Sequence, residues 1–97
     1  MITKPLNRET ITSLTASIGL TASKITNTTV YAVVQAIGGA ARFTMDSNTT
    51  PPVAATTGHR LVQDGNVELW GHDEMKAFRA IDDGGTAQLE VTYFGAE

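Results

Sequence analysis

The side chains of this sequence whose types could do chemistry are His59 and His72, the acidic pairs Asp73-Glu74 and Asp82-Asp83, and Ser13, Ser17, Ser23 and Ser47. A histidine metal site needs ligands brought together, commonly at a close or one-turn helical spacing. The two histidines stand thirteen positions apart, each next to a glycine, a context of polar turns rather than of ligands. General acid–base work needs a carboxyl with a raised pKa in a cleft. Aspartates adjoining Gly84-Gly85 read instead as a solvated turn, and they lack the alternating oxygen-ligand spacing of a calcium loop. No serine lies in a Gly-x-Ser-x-Gly elbow, and Gly38-Gly39 has no lysine behind it to make a phosphate loop. With no cysteine in the chain, thiolate nucleophiles, disulfides and cysteine-bound metals are excluded. The expectation is a protein that is not an enzyme and uses no cofactor or metal.

The elements that carry these residues read as strands. Ninety-seven residues with 41% hydrophobic and 18% charged side chains suit one small domain with a thin core, a situation often relieved by oligomerisation. No apolar run is long enough for a membrane span, and Met1–Pro5 does not begin a secretion signal, so neither a membrane partner nor export is expected. Net charge is −3 and uneven: residues 1–29 hold three basic side chains against one acidic, residues 30–97 four against nine. An acidic body repels phosphate backbones, so nucleic acid is not an expected partner.

Residues 1–29 contain eight threonines and no aromatic residue. Threonine's branched Cβ favours extended backbone, so this stretch is expected to be an N-terminal arm, either partly ordered or paired with a neighbouring subunit. Residues 30–97 are expected to form the β domain. Val30–Ile37 is almost continuously apolar and reads as a strand buried on both faces. After the Gly38-Gly39 bend, Ala40–Met45 places Ala41, Phe43 and Met45 on one face. Residues 46–58, with Pro51, Pro52 and Val53, make the longest loop, since paired prolines lack the donors a central strand needs.

Arg60–Gln63 and Val67–Trp70 read as a hairpin around Asp64-Gly65-Asn66, with Leu61 beside Leu69. Gly71–Lys76 allows one helical turn at most, followed by a strand over Phe78–Ile81. Thr86–Phe94 alternates cleanly, with Ala87, Leu89, Val91 and Tyr93 inward. Five or six short, mostly antiparallel strands point to an all-β fold, a small β-sandwich or partly closed barrel. Alternation sets Trp70 opposite to Leu69, either as a rim residue over a sheet edge or as an interface anchor of the kind tryptophan often provides. Phe94 ends the polar stripe of Glu90 and Thr92.

The order of features over Val33–Leu61 and Met75–Phe94 resembles that of small virion-associated proteins of tailed bacteriophages. The resemblance rests on the aliphatic strand and glycine kink of Val34–Gly39 and on Arg42 before Phe43. It continues through Thr57-Gly58-His59-Arg60-Leu61, Asp64-Gly65, Phe78–Ile81 and the closing Thr86–Phe94 strand, with Leu20–Ser23 extending it upstream. The 46–58 loop is longer here than the compact Asp-Gly-Thr form of such proteins. The resemblance implies a β-sandwich virion protein assembled in the host cytoplasm, with the major capsid protein or other virion subunits as partners. A decoration (cement) protein on the outer surface of the head, self-associating as a homotrimer, is the leading expectation. A tail, neck or fibre-attachment component and a host-surface carbohydrate-binding module are the alternatives. Trp70, Phe94, Pro51, Pro52 and Val53 are the expected contact residues.

Overall fold

A computed structural model describes residues 3–45 and 58–96. Among them are eight strands, one short α-helix and one 3-10 turn (Ala22–Lys24): β1 (Thr3–Ile11), β2 (Ile18–Gly19), β3 (Thr29–Ile37), β4 (Ala41–Thr44), β5 (His59–Leu61), β6 (Asn66–Trp70), α1 (Gly71–Ala77), β7 (Arg79–Asp82) and β8 (Gln88–Ala96). They form two four-stranded antiparallel sheets, in the orders β1-β8-β3-β6 and β2-β7-β4-β5. The fold is all-β, and neither sheet closes into a barrel.

One core serves both sheets. Ala32, Val34, Leu69, Leu89, Val91 and Tyr93 from the first sheet join Ala41, Phe43, Leu61 and Ala80 from the second, with Met75 of α1 and Phe78 beside it. The alternation of β8 is what puts it at the centre of its sheet. Its odd-numbered side chains are buried without exception, while Gln88, Glu90, Thr92 and Phe94 stay half-covered on the outside.

The stretch expected as an arm belongs to this body. β1 pairs along its length with β8 of the same chain, from Thr3↔Ala96 to Ile11↔Leu89. Ile11 and Leu14 are buried in the common core, and the Leu14 carbonyl accepts from the Asp82 amide at 2.9 Å. What hides this strand in the sequence is that part of the inward face of β1 is polar. Glu9 points between the sheets and accepts from the Tyr93 hydroxyl, the Thr21 hydroxyl and, at 3.2 Å, the Thr21 amide. Satisfied in this way, a carboxylate can stand where an apolar residue would otherwise mark the strand.

Burial, reinforced by the hydrogen bond to Glu9 and its charge, pushes the Tyr93 phenol far above its usual range. Below about pH 10 the phenol is neutral whether the chain is folded or not, so it adds no pH dependence there. Above that, the unfolded chain releases the proton and the folded chain keeps it, so stability falls as pH rises, by about 1.4 kcal/mol per pH unit. Tyr93→Phe is expected to lose about 1 kcal/mol at neutral pH and to flatten the alkaline decline. Denaturant titrations of both proteins at a series of pH values would check this; parallel declines would show that Tyr93 is not the group responsible.

Three further expectations are corrected. β3 is buried on one face only: Ala32, Val34 and Ala36 are fully buried, whereas Tyr31, Val33, Gln35 and Ile37 lie on a half-covered outer face. The expected hairpin does not form, because β5 pairs with β4 (Ala41↔Leu61) and β6 pairs with β3 (Ala32↔Leu69). Val62–Gly65 is instead a corner between sheets. Asp64 has φ 68°, and the turn is docked on β3 by Asp64 N to Ala36 O at 2.7 Å and Ala36 N to Gly65 O at 3.0 Å. Finally, α1 runs seven residues rather than one turn. Burying Met75 against β3 and β6 supplies the packing that so short a helix lacks by itself.

Gly95 marks the tightest approach of backbone to side chain. A Cβ there would lie 2.7 Å from Leu6 Cδ1 and 3.0 Å from the Thr28 carbonyl oxygen. Gly95→Ala is therefore expected to cost about 1–3 kcal/mol, as overpacking does, read as a lower denaturant midpoint at unchanged slope. An unchanged midpoint would mean that Leu6 yields without cost.

Candidate functional site

Several of the groups with chemical potential take part in structural bonds. His72, half-buried on α1, donates from Nε2 to the Thr29 carbonyl at 2.9 Å, a bond that requires the proton on that nitrogen. His59 is exposed on β5, its ring 5.5 Å from that of Phe43. The histidines thus sit on different elements with separate partners. Asp82 Oδ1 accepts from the amides of Gly85 and Ala87 at 3.1 and 3.3 Å and shapes the turn before β8. Asp83 Oδ2 bridges Arg42 Nε at 3.5 Å and Arg60 Nε at 3.1 Å, offsetting the repulsion of two arginines that lie directly opposite on β4 and β5. Glu74 Oε1 reaches back to the Trp70 amide at 2.8 Å and closes the first turn of α1. Among the described residues no group of three or more histidine, aspartate or glutamate side chains could hold a metal.

What the fold does assemble is a row of rings. β6, β3 and β8 bring Trp70, Tyr31 and Phe94 into register across the outer face of the first sheet, and β1 adds Pro5 opposite Phe94. Tyr31 stacks on Trp70 with centroids 4.3 Å apart and planes 17° apart, and on Phe94 at 4.6 Å and 6°. Face-to-face neighbours at this spacing must stand edge-on to the sheet, so the row presents a ridge of ring edges rather than a flat platform. Trp70, at the sheet edge, keeps 50% of its surface exposed, the largest ring left so open.

Local backbone fixes the end of that ridge. Gly71, directly after Trp70, has φ +83°, and that left-handed turn lets β6 run straight into α1. Trp70 is thereby held between the last ladder bond of β6 and the Glu74 bond to its own amide.

Below the ridge, the same outer face continues as two polar rows in the strand order β1, β8, β3, β6. The first is Arg8, Thr92, Val33, Glu68; the second is Thr10, Glu90, Gln35, Asn66. Arg8 reaches Glu90 at 3.0 Å, and Thr10 donates to the same carboxylate at 2.9 Å.

Of the expected contact residues, Trp70 and Phe94 are brought to one face, while Pro51, Pro52 and Val53 lie outside the described residues. Tyr31, the ring that joins the two, lies in the apolar run whose pattern suggests burial on both sides. The signal that identifies it is Gln35, which shares its parity and marks that face of β3 as the polar one. Among the described residues no helix is long and apolar enough to cross a membrane. No family model matches the chain, and neither a curated protein nor a solved structure matches it.

Proposed function

We propose that this chain is a structural protein of a virus particle, a decoration protein that binds the outer surface of a phage head and stabilises it. In this reading the two sheets are the layers of a β-sandwich that serves as a rigid mount, and the first sheet's outer face is the contact surface. The single observation that carries the proposal is the aromatic ridge. A stack of three rings plus proline spans all four strands of the first sheet, while His72, Glu9, Glu74, Asp82, Asp83 and Glu90 are engaged in structural bonds. Exposed aromatic clusters of this kind are characteristic of contact surfaces. Affinity for the major capsid protein would come from burial of the ridge, multiplied when an oligomer grips several shell subunits at once.

The threonine-rich stretch enters this reading as an edge. Among the described residues β1 has a strand on one side only, and its other edge would take a neighbouring subunit's strand, with Lys4 and Pro5 restricting the register. A ridge of ring edges offers sugars one open ring face, that of Trp70, which favours protein over carbohydrate as the partner.

Electron microscopy of purified particles is the test. Density for the chain on the head exterior in many copies is expected. A few copies on the tail axis would replace the head assignment with a tail or neck role. Absence of the chain from particles, together with failure to co-sediment with purified shells, would overturn the proposal.

A further inference from the structure

We infer that the outer face of the first sheet takes a second copy of this chain, packed face to face about a two-fold axis that runs parallel to the strands. The inference rests on reading that face as a contact surface and names its first partner. It follows from how three of the outward rows, from the ridge to Glu90 and Gln35, are ordered. An axis along the strands sets β1 over the partner's β6 and β8 over its β3, and leaves each row facing its own counterpart. The ridge then meets a ridge, with Pro5 over Trp70 and Phe94 over Tyr31.

In the next row, Arg8 at one end meets Glu68 at the other, twice by symmetry. In the third row, Thr10 meets Asn66, and Glu90 meets the Gln35 amide. In these three rows no like charges stand directly opposite one another. A two-fold axis across the strands gives the opposite outcome. It would lay Arg8 on Arg8 and Glu68 on Glu68, and the ridge on the row holding Glu90 and Gln35, so charge and polarity both reject it. Arg8 is also well placed to reach across, since its side chain is 74% exposed even while it touches Glu90.

Four strands about 4.8 Å apart make the face roughly 20 Å wide. That is small for a permanent interface, so the dimer is expected to dissociate on dilution in about the micromolar range. The ridge that the dimer buries is the same surface proposed to bind the shell, so the dimer is the unbound form and a copy that docks on the shell leaves it.

Sedimentation equilibrium over a concentration series tests this through charge exchange. Glu68→Arg sets arginine against Arg8, and Arg8→Glu sets glutamate against Glu68. Each variant alone is expected to weaken self-association by about a hundredfold, from two symmetric like-charge contacts. Mixed in equal amounts, the two variants restore both pairings, and a heterodimer is expected at the wild-type concentration range. Both positions are exposed, and unchanged circular dichroism and melting would show that the variants fold. A wild-type chain that stays monomeric throughout, or variants that dimerise as before, or a mixture that fails to recover, would overturn the inference. Co-sedimentation with shells is run beside it. A monomer that still binds shells defeats the dimer alone, and a dimer that ignores shells defeats the particle reading alone.

Discussion

Phe78→Ala is expected to cost about 3–5 kcal/mol, enough to remove much of the stability of a domain that holds only about 5–15 kcal/mol in total. Phe78 has no exposed surface and stacks on Phe43 at 5.6 Å, at the junction where α1 hands over to β7. Its amide also donates to the Glu74 carbonyl at 3.0 Å, so the ring and backbone together hold the helix end in place. Truncation leaves a cavity between elements of both sheets that cannot close without moving α1. Phe78→Leu, which keeps most of the volume, should cost only about 1–2 kcal/mol. Guanidinium titrations of the three proteins are the measurement. A loss under about 1 kcal/mol for the alanine variant would contradict the packing described for this site.

Trp70→Ala should have the opposite profile, a small effect on folding and a large one on association. Losing the stack on Tyr31 costs about 0.5–1.5 kcal/mol of stability, because half of the indole is already in water. Contact made through the ridge loses its largest open ring, and hot-spot tryptophans of this kind are worth about 2 kcal/mol or more, roughly a thirtyfold loss of affinity. Shell binding and self-association would be titrated in parallel with thermal melting. Trp70→Phe keeps a ring in the stack and is expected to recover most of the binding. Equal binding by wild type and alanine variant would exclude the ridge as a contact surface.

The legible parts of the fold were those where one face alone decided the pattern. β8 could be read residue by residue, because Ala87, Leu89, Val91 and Tyr93 all face the core and the residues between them are polar save Phe94. β3 misled because the ridge occupies its outer face: Tyr31, Val33 and Ile37 made a half-covered surface look like a second core face. β1 was hidden by the reverse substitution, a glutamate facing inward whose partners, Tyr93 and Thr21, are remote in sequence. The Asp64-Gly65 signal did mark a tight turn. What it could not convey is that Leu61 and Leu69 on either side of it enter different sheets, a choice made by pairing with β4 and β3. Trp70 and Phe94 could be picked out singly, but their alignment depended on cross-strand register, which no local pattern encodes.

The position of β8 has a consequence for biogenesis. It lies between β1 and β3, yet it follows both in the chain. A nascent chain that has emerged only as far as Ala87 therefore holds two strands with a vacant lane between them, each offering unpaired amides and carbonyls to whatever is nearby. The first sheet cannot be completed until its central strand has emerged, and it must then accept that strand on both sides at once. Folding of this sheet is thus expected to be relatively slow for its length, and holdases that cover bare strand edges would raise its yield.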